Sequence, residues 1–167
     1  GLAPEERKSQ ALVLSEPVYR NVTLATLSRF SRLGFIDGRR EREEARRVTE
    51  ALDVRPADVR RPVRTLSGGN QQKAVVSRWL LGGSRLLLLD EPTRGVDVGA
   101  RAELYGLVRR LAADGVGVLL VSSDVPEVLG LADRVLVLRE GRVVREAAAG
   151  ELDESTVLDL VMEGSAV

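Results

Sequence analysis

The feature that most constrains this chain is one stretch, Leu66 to Gly99, which reads LSGGNQQKAVVSRWLLGGSRLLLLDEPTRGVDVG. Ser67-Gly68-Gly69 carries no side chain larger than a hydroxymethyl, so its backbone can approach a bulky anion closely and take positive φ where needed. Beyond it, Gln72, Val75, Val76, Trp79 and Leu80 recur at helical spacing, which predicts a helix from Asn70 to Leu81. A helix N-terminus presents free N–H groups and a dipole of roughly +0.5 charge, a ready site for an anion. Ser67 then serves as N-cap or as hydroxyl donor to phosphate. Taken alone, the same three residues also describe a capped surface helix.

The second half of the stretch narrows the choice. Leu86-Leu87-Leu88-Leu89 has the pattern of a strand buried on both faces of a parallel sheet. Asp90 and Glu91 follow it and Pro92 stops it, which puts two acids at the carboxyl end of the strand, where such sheets bind ligands. An Asp in that place suits Mg²⁺ beside a nucleotide. Glu91, one residue on, points differently and could polarise a water as general base. By themselves the two acids could equally be an exposed pair at a strand end.

Together, LSGGNQQK and LLLLDEPTRGVD resemble the signature motif, Walker B strand and D-loop of the ATP-binding cassette family. GNQQK and DEPTRGVDVGA are similar to the second, C-terminal cassette of the duplicated ATPase subunits that energise monosaccharide importers of the ribose, galactose and xylose type. Pro4-Glu5-Glu6-Arg7-Lys8 and the segment Val121 to Gly130 match that pattern too. The resemblance implies an α/β fold: a partial P-loop NTPase core of ABC type with a parallel sheet, plus a helical subdomain. It implies that 1–65 holds the end of the Q-loop region and the helical subdomain with its linker. Residues 66–167 then hold the signature motif, Walker B, D-loop and C-terminal α/β core of one incomplete nucleotide-binding domain.

The same resemblance assigns roles. In the family each ATP lies between the P-loop side of one cassette and the signature turn of another. Ser67 and Gly69 then donate to the γ-phosphate held by the opposite cassette, Gly68 allows close approach, and Gln72 lies near the ribose. Asp90 orders Mg²⁺ through water and Glu91 is the general base. Asp97 matches the D-loop Asp that communicates across the dimer; it also immediately precedes a helix as an N-cap, and both can hold. The implied cofactors are ATP and Mg²⁺. The implied partners are a second cassette, an integral membrane permease and, indirectly, a sugar-binding protein, with no nucleic acid. The implied location is the cytoplasmic face of the membrane, held there peripherally.

Three departures from the pattern matter. No G-x-x-x-x-G-K-[ST] occurs, so the strand, P-loop and helix of Walker A are expected to lie outside this sequence, and the isolated chain is expected to be inactive. Ser123 stands where the family places its switch histidine. A serine cannot carry positive charge to the γ-phosphate, and losing one such contact costs about 3 kcal/mol of barrier. Glu5 takes the place of the Q-loop glutamine. An asymmetric machine follows, in which this cassette's own site is slow and its signature turn completes the partner's.

Composition removes other classes. Net charge is zero, which gives no long-range attraction to nucleic acid or an anionic membrane. There is no Cys and no His, which excludes disulfides, thiolate metal sites and histidine general bases. No apolar stretch approaches the ~20 residues that span a bilayer, and the chain starts with Gly, so a cytoplasmic piece cut from a longer chain is expected.

Along the rest of the chain, periodicity predicts a helix over Val18 to Phe30, a turn through Gly34 and Asp37-Gly38, and a charge-dense helix with a solvated, ion-paired face over Arg39 to Leu52. In that helix acids interleave with arginines and aromatics are missing, which disfavours nucleic-acid binding. Pro56 and Pro62 mark an irregular link, read as a flexible joint that lets the signature turn move as a body. Then come an amphipathic helix over Val98 to Ala113 with Leu104, Leu107, Val108 and Leu111 on one stripe, and a strand over Val116 to Val121. A short helix over Pro126 to Leu131, a strand over Arg134 to Leu138, a hairpin turn at Glu140-Gly141 and a last helix capped by Asp153 complete the pattern. Two other functions fit parts of it: a soluble cassette ATPase acting outside transport, and a non-catalytic interaction domain.

Overall fold

The computed structural model describes residues 1–162. It opens with β1 (Leu2–Ala3), a single wide helical turn over Arg7–Ala11, and α1 (Val18–Thr23) running into a 3-10 segment over Leu24–Phe30. A small hairpin of β2 (Ser31–Arg32) and β3 (Phe35–Ile36) precedes α2 (Gly38–Ala51). After the link come α3 (Gly68–Leu81), β4 (Leu86–Asp90), α4 (Val98–Ala113), β5 (Gly117–Val121) and α5 (Val125–Leu131). The hairpin β6 (Arg134–Arg139) and β7 (Arg142–Ala148) and helix α6 (Glu154–Met162) follow. The class is the expected one: β4 is the middle strand of a sheet ordered β1-β4-β5, and β1 runs parallel to it with Leu2 opposite Leu88.

The chain forms two compact units, Gly1–Leu119 and one beginning at Leu120. In the first, α3 is the axis. Every residue from Gln71 to Arg78 is buried, so this helix is enclosed all round and has no solvent stripe. Helices α1 and α2 pack on it, with Val18, Val22, Val63 and Val75 fully enclosed. Its buried cations are satisfied by backbone oxygens. Arg78 Nε donates to the Asn21 carbonyl and Nη2 to the Ala11 carbonyl, each at 2.7 Å. Lys73 Nζ donates to the Asp53 carbonyl at 3.0 Å and to Glu103 at 2.7 Å. Burial holds the Arg78 guanidinium below its ordinary pKa.

Three expectations are corrected here. The apolar run of β4 is not buried on both faces: Leu87 and Leu89 are 1% and 3% exposed, whereas Leu86 is 53% exposed. One face packs inward and the other is open, the alternation of a half-covered sheet. The helix over Val18 to Phe30 changes type after Thr23 and kinks at Thr26 (φ −134°, ψ 22°). Thr26 donates its hydroxyl to the Thr23 carbonyl at 3.2 Å, a side-chain bond that competes with the helical ladder.

The link at 53–65 is stitched down rather than loose. The N–H groups of Val18 and Tyr19 donate to the carbonyls of Arg61 and Val59, and those of Val63 and Arg64 to Glu16 and Leu14. Val54, Val59 and Val63 are buried at 3%, 2% and 0% exposure. Helix α2 keeps the expected solvated face, with Arg47 paired to Glu44, and buries the other. Asp37 caps it through the N–H groups of Arg39 and Arg40, and Glu41 is buried, accepting the Thr23 hydroxyl at 2.7 Å.

The second unit is built on an antiparallel hairpin. Positive φ at Glu140 (50°) and Gly141 (75°) gives the expected two-residue turn, and pairing runs on to Arg134 opposite Ala148, further than the sequence signal reached. Val135, Val137 and Val157 form its core.

Candidate functional site

The signature turn and the turn after β4 are packed against each other. Ser67 sits at the N-cap of α3 in extended backbone (φ −62°, ψ 163°), but its side chain caps no helical N–H. It is exposed, and its hydroxyl oxygen accepts from Asn70 Nδ2 at 2.9 Å. Asn70 in turn accepts the Arg55 N–H at 2.6 Å, which fixes the serine's neighbour to the link. The hydroxyl and the first N–H groups of α3 thus stay uncommitted to each other, the arrangement an anion needs.

The two glycines have a reason inside the chain. A Cβ at Gly68 would stand 2.6 Å from the Gly95 carbonyl oxygen and 2.7 Å from Arg7 Nη2. A Cβ at Gly69 would stand 2.7 Å from the Cβ of Ala100. The sequence reading gave Gly68 to the approach of a phosphate; the structure shows that its bareness is already required by the turn packed behind it.

At the end of β4, Asp90 is half-buried and Glu91 takes φ of 45°. A glutamate in the left-handed region is uncommon, and it turns the second acid away from the direction the strand alternation would give it. The next turn is closed by the Arg94 and Val96 N–H groups donating to Glu91 and Thr93. Asp97 is the N-cap of α4, accepting the Ala100 N–H at 2.9 Å, so the capping half of its dual reading holds.

Gln72 is corrected. It is 2% exposed, among the most enclosed side chains of the molecule, with no hydrogen-bond partner for Nε2 among the described residues. Because α3 is enclosed all round, its side chain does not reach a surface where a ribose could lie. Ser123, in the second unit, is exposed. Its neighbour Ser122 carries the local order, donating to Glu127 at 2.5 Å while its oxygen accepts the Asp124 N–H at 3.1 Å.

Sequence reasoning missed Arg7, which is 7% exposed and donates to the carbonyls of Arg94 at 2.7 Å and Gly95 at 3.2 Å. Its only signal was membership of the matched Pro4 to Lys8 segment. Among the described residues no group of three or more His, Cys, Asp or Glu gathers as a metal cage. Asp90, a single half-buried carboxylate at the end of β4, is the kind of ligand that Mg²⁺ takes when substrate phosphates and waters complete its shell. No helix among the described residues is long and apolar enough to cross a membrane.

A half-covered sheet with acids at the carboxyl end of its middle strand, and a glycine turn opening the enclosed helix beside it, define an α/β architecture with a parallel strand pair. The chain belongs to the ABC transporter family, whose profile matches residues 4–94. It is 49% identical to a ribose import ATP-binding protein RbsA 1 of Streptomyces avermitilis, over 97% of this chain and 31% of that protein. It is 46% identical to its counterpart of Rubrobacter xylanophilus, over 99% of this chain and 33% of that protein. The chain therefore spans about a third of the length of these relatives. Among solved structures, a dimeric ATP-binding cassette bound to ADP and Pi superposes with a TM-score of 0.71 at 23% identity, covering 89% of this chain and 62% of that one. An inward-facing ABC transporter of the metal-chelate type gives 0.80 at 18%, covering 98% and 63%. At these identities the two structures speak for the fold, a mixed α/β cassette.

Proposed function

We propose that this chain is part of an ATP-hydrolysing subunit that drives import of a monosaccharide, and that it contributes the signature turn to ATP held by another cassette. The observation that carries the reading is Ser67: exposed at the head of a rigidly enclosed helix, with its hydroxyl not spent on capping that helix. The relatives' names as ribose import ATP-binding proteins supply the substrate class. Ser67 and the Gly69 N–H donate to the terminal phosphate, and Gly68 allows its close approach. On the chain's own side Asp90 would hold Mg²⁺, which when bound would supply charge neutralisation for the phosphates, and Glu91 orients the attacking water as general base. Asp97 fixes the start of α4 and faces the dimer mate. Ser123 in place of a histidine leaves the chain's own site without a cationic donor, so that site turns over slowly.

In this reading the subunit works at the cytoplasmic membrane face, paired with a second cassette and seated on a permease that receives sugar from a binding protein. No G-x-x-x-x-G-K-[ST] is present, and in this reading the phosphate cradle for the ATP that Ser67 completes lies on the other cassette. The test is Ser67→Arg in the complete ATPase. Turnover should fall by a factor of roughly a hundred, as for removal of an oxyanion donor; turnover near that of the parent would sink the proposal. Glu91→Gln should cost less than the equivalent change in the other cassette.

A further inference from the structure

Arg7 joins two turns that the nucleotide reading treats as parts of different sites. Its guanidinium donates from Nη1 to the Arg94 carbonyl at 2.7 Å and from Nη2 to the Gly95 carbonyl at 3.2 Å. The same Nη2 lies against Gly68, where a Cβ would come within 2.7 Å of it and 2.6 Å of the Gly95 oxygen. Glu5 forms an ion pair with Arg94, and the Glu6 carboxylate lies 3.9 Å from the same guanidinium. The segment 5–7 thus clasps the turn that follows Glu91 and, through Arg7, presses it on the turn that carries Ser67.

Stability alone is a poor reason for such an arrangement. Arg7 is buried, its Nε has no hydrogen-bond partner among the described residues, and desolvation pulls its pKa down. A buried cation recovers its desolvation cost only when its donors are well used, and here one is idle. What the planar fork does supply is fixed geometry between two carbonyls of one turn and the bare backbone of another.

We infer that Arg7 is a positioning residue that couples the turn after Glu91 to the signature turn, so that nucleotide at the site of Asp90 and Glu91 alters how Ser67 is presented to the other cassette. The inference rests on the nucleotide roles proposed above. A displacement of Arg94-Gly95 carries the guanidinium with it. Gly68 has no side chain that could yield, so the Ser67 turn must follow. Close-packed contacts of this kind pass on small shifts.

Hydrogen exchange on this chain tests the mechanical half without any nucleotide. Arg7→Lys removes the fork, and exchange should rise roughly tenfold in both 66–70 and 92–96 while α1 and α4 keep their protection. Gly68→Ala pushes on the same contact from the other side and should raise exchange in 92–96, more than twenty positions along the chain from the substitution. If either variant loosens one turn and leaves the other as it was, the coupling is refuted. In the complete ATPase, Arg7→Lys should bring the Hill coefficient for ATP toward one with KM little changed. A folded variant with full cooperativity refutes the inference, because a merely structural loss lowers activity without touching cooperativity. The two readings fail separately: normal turnover in Ser67→Arg removes the nucleotide roles, and loosening of both turns in Arg7→Lys would still show the linkage.

Discussion

The two compact units are held by different kinds of bond. In the first, polar side chains reach across long stretches of sequence: Arg7 to Arg94 and Gly95, Arg78 to Ala11 and Asn21, and Trp79 Nε1 to the Leu2 carbonyl at 2.8 Å. In the second the side-chain bonds have a shorter reach: the Glu127 N–H donates to Asp124, Asp153 caps the first turn of α6, Arg134 pairs with Glu146 across one hairpin at 2.9 Å, and the longest, from Arg139 Nη1 to the Leu160 carbonyl at 3.2 Å, spans 21 positions. The site turns lie in the first unit. A turn that must hold a serine at a fixed angle to a ligand is better set by anchors from several distant segments than by its own short loop, because each anchor removes a different direction of motion. The second unit is gathered on a valine cluster, Val135, Val137 and Val157, with capped helix starts around it.

The contrast breaks most easily at Arg78. Arg78→Ala strands the Asn21 and Ala11 carbonyls and opens a hole beside α1, and it should cost roughly 3–5 kcal/mol. Urea unfolding of this chain measures it. A loss below about 1 kcal/mol would mean that the long-range bonds are incidental and the first unit is held by its valines alone.

Next in size is Gly69→Ala. The added methyl meets the Ala100 Cβ at 2.7 Å, and Gly69 is buried in the enclosed α3, so relief of the contact requires α4 to shift. Overpacking of this sort should cost about 2 kcal/mol. Combining it with Ala100→Gly removes the clash. The double variant should then be more stable than Gly69→Ala alone, even though glycine in α4 costs about 1 kcal/mol by itself. Additive losses in the two-variant cycle would show that Gly69 is bare for some reason other than α4.

How much was legible follows the same division. Helix α4, the Glu140-Gly141 turn and the Asp153 cap were readable because each depends on residues within one turn of one another: a leucine stripe, a positive-φ pair, a side chain and the N–H three residues on. The signature turn and the acid pair were readable as motifs. The clasp by Arg7 was not, since nothing local to Arg7 announces partners at 94 and 95. For the same reason Gln72 was misplaced: its spacing along α3 is compatible with an open face, and only the arrival of α1, α2 and α4 shows that α3 has none. The supposed joint at 53–65 failed because prolines break helices without loosening the chain, and here the backbone of the link pairs with the start of α1.

The smallest effect lies in the second unit, at Asp153. Its carboxylate accepts the Thr156 N–H at 2.7 Å and the Ser155 hydroxyl at 2.9 Å. The Thr156 backbone bond, first among these contacts, holds its pKa below the ordinary 3.8. A carboxylate depressed in the folded state stabilises above its unfolded pKa and loses that contribution as pH falls through the folded value. Unfolding followed by circular dichroism should therefore show α6 weakening only below about pH 4. Asp153→Asn keeps a capping oxygen but cannot titrate, so it should be slightly less stable at neutral pH and equal to the parent in acid. If the two proteins differ by the same amount at every pH, the cap charge contributes nothing, and the second unit would prove even more dependent on its valine cluster than its local bonds suggest.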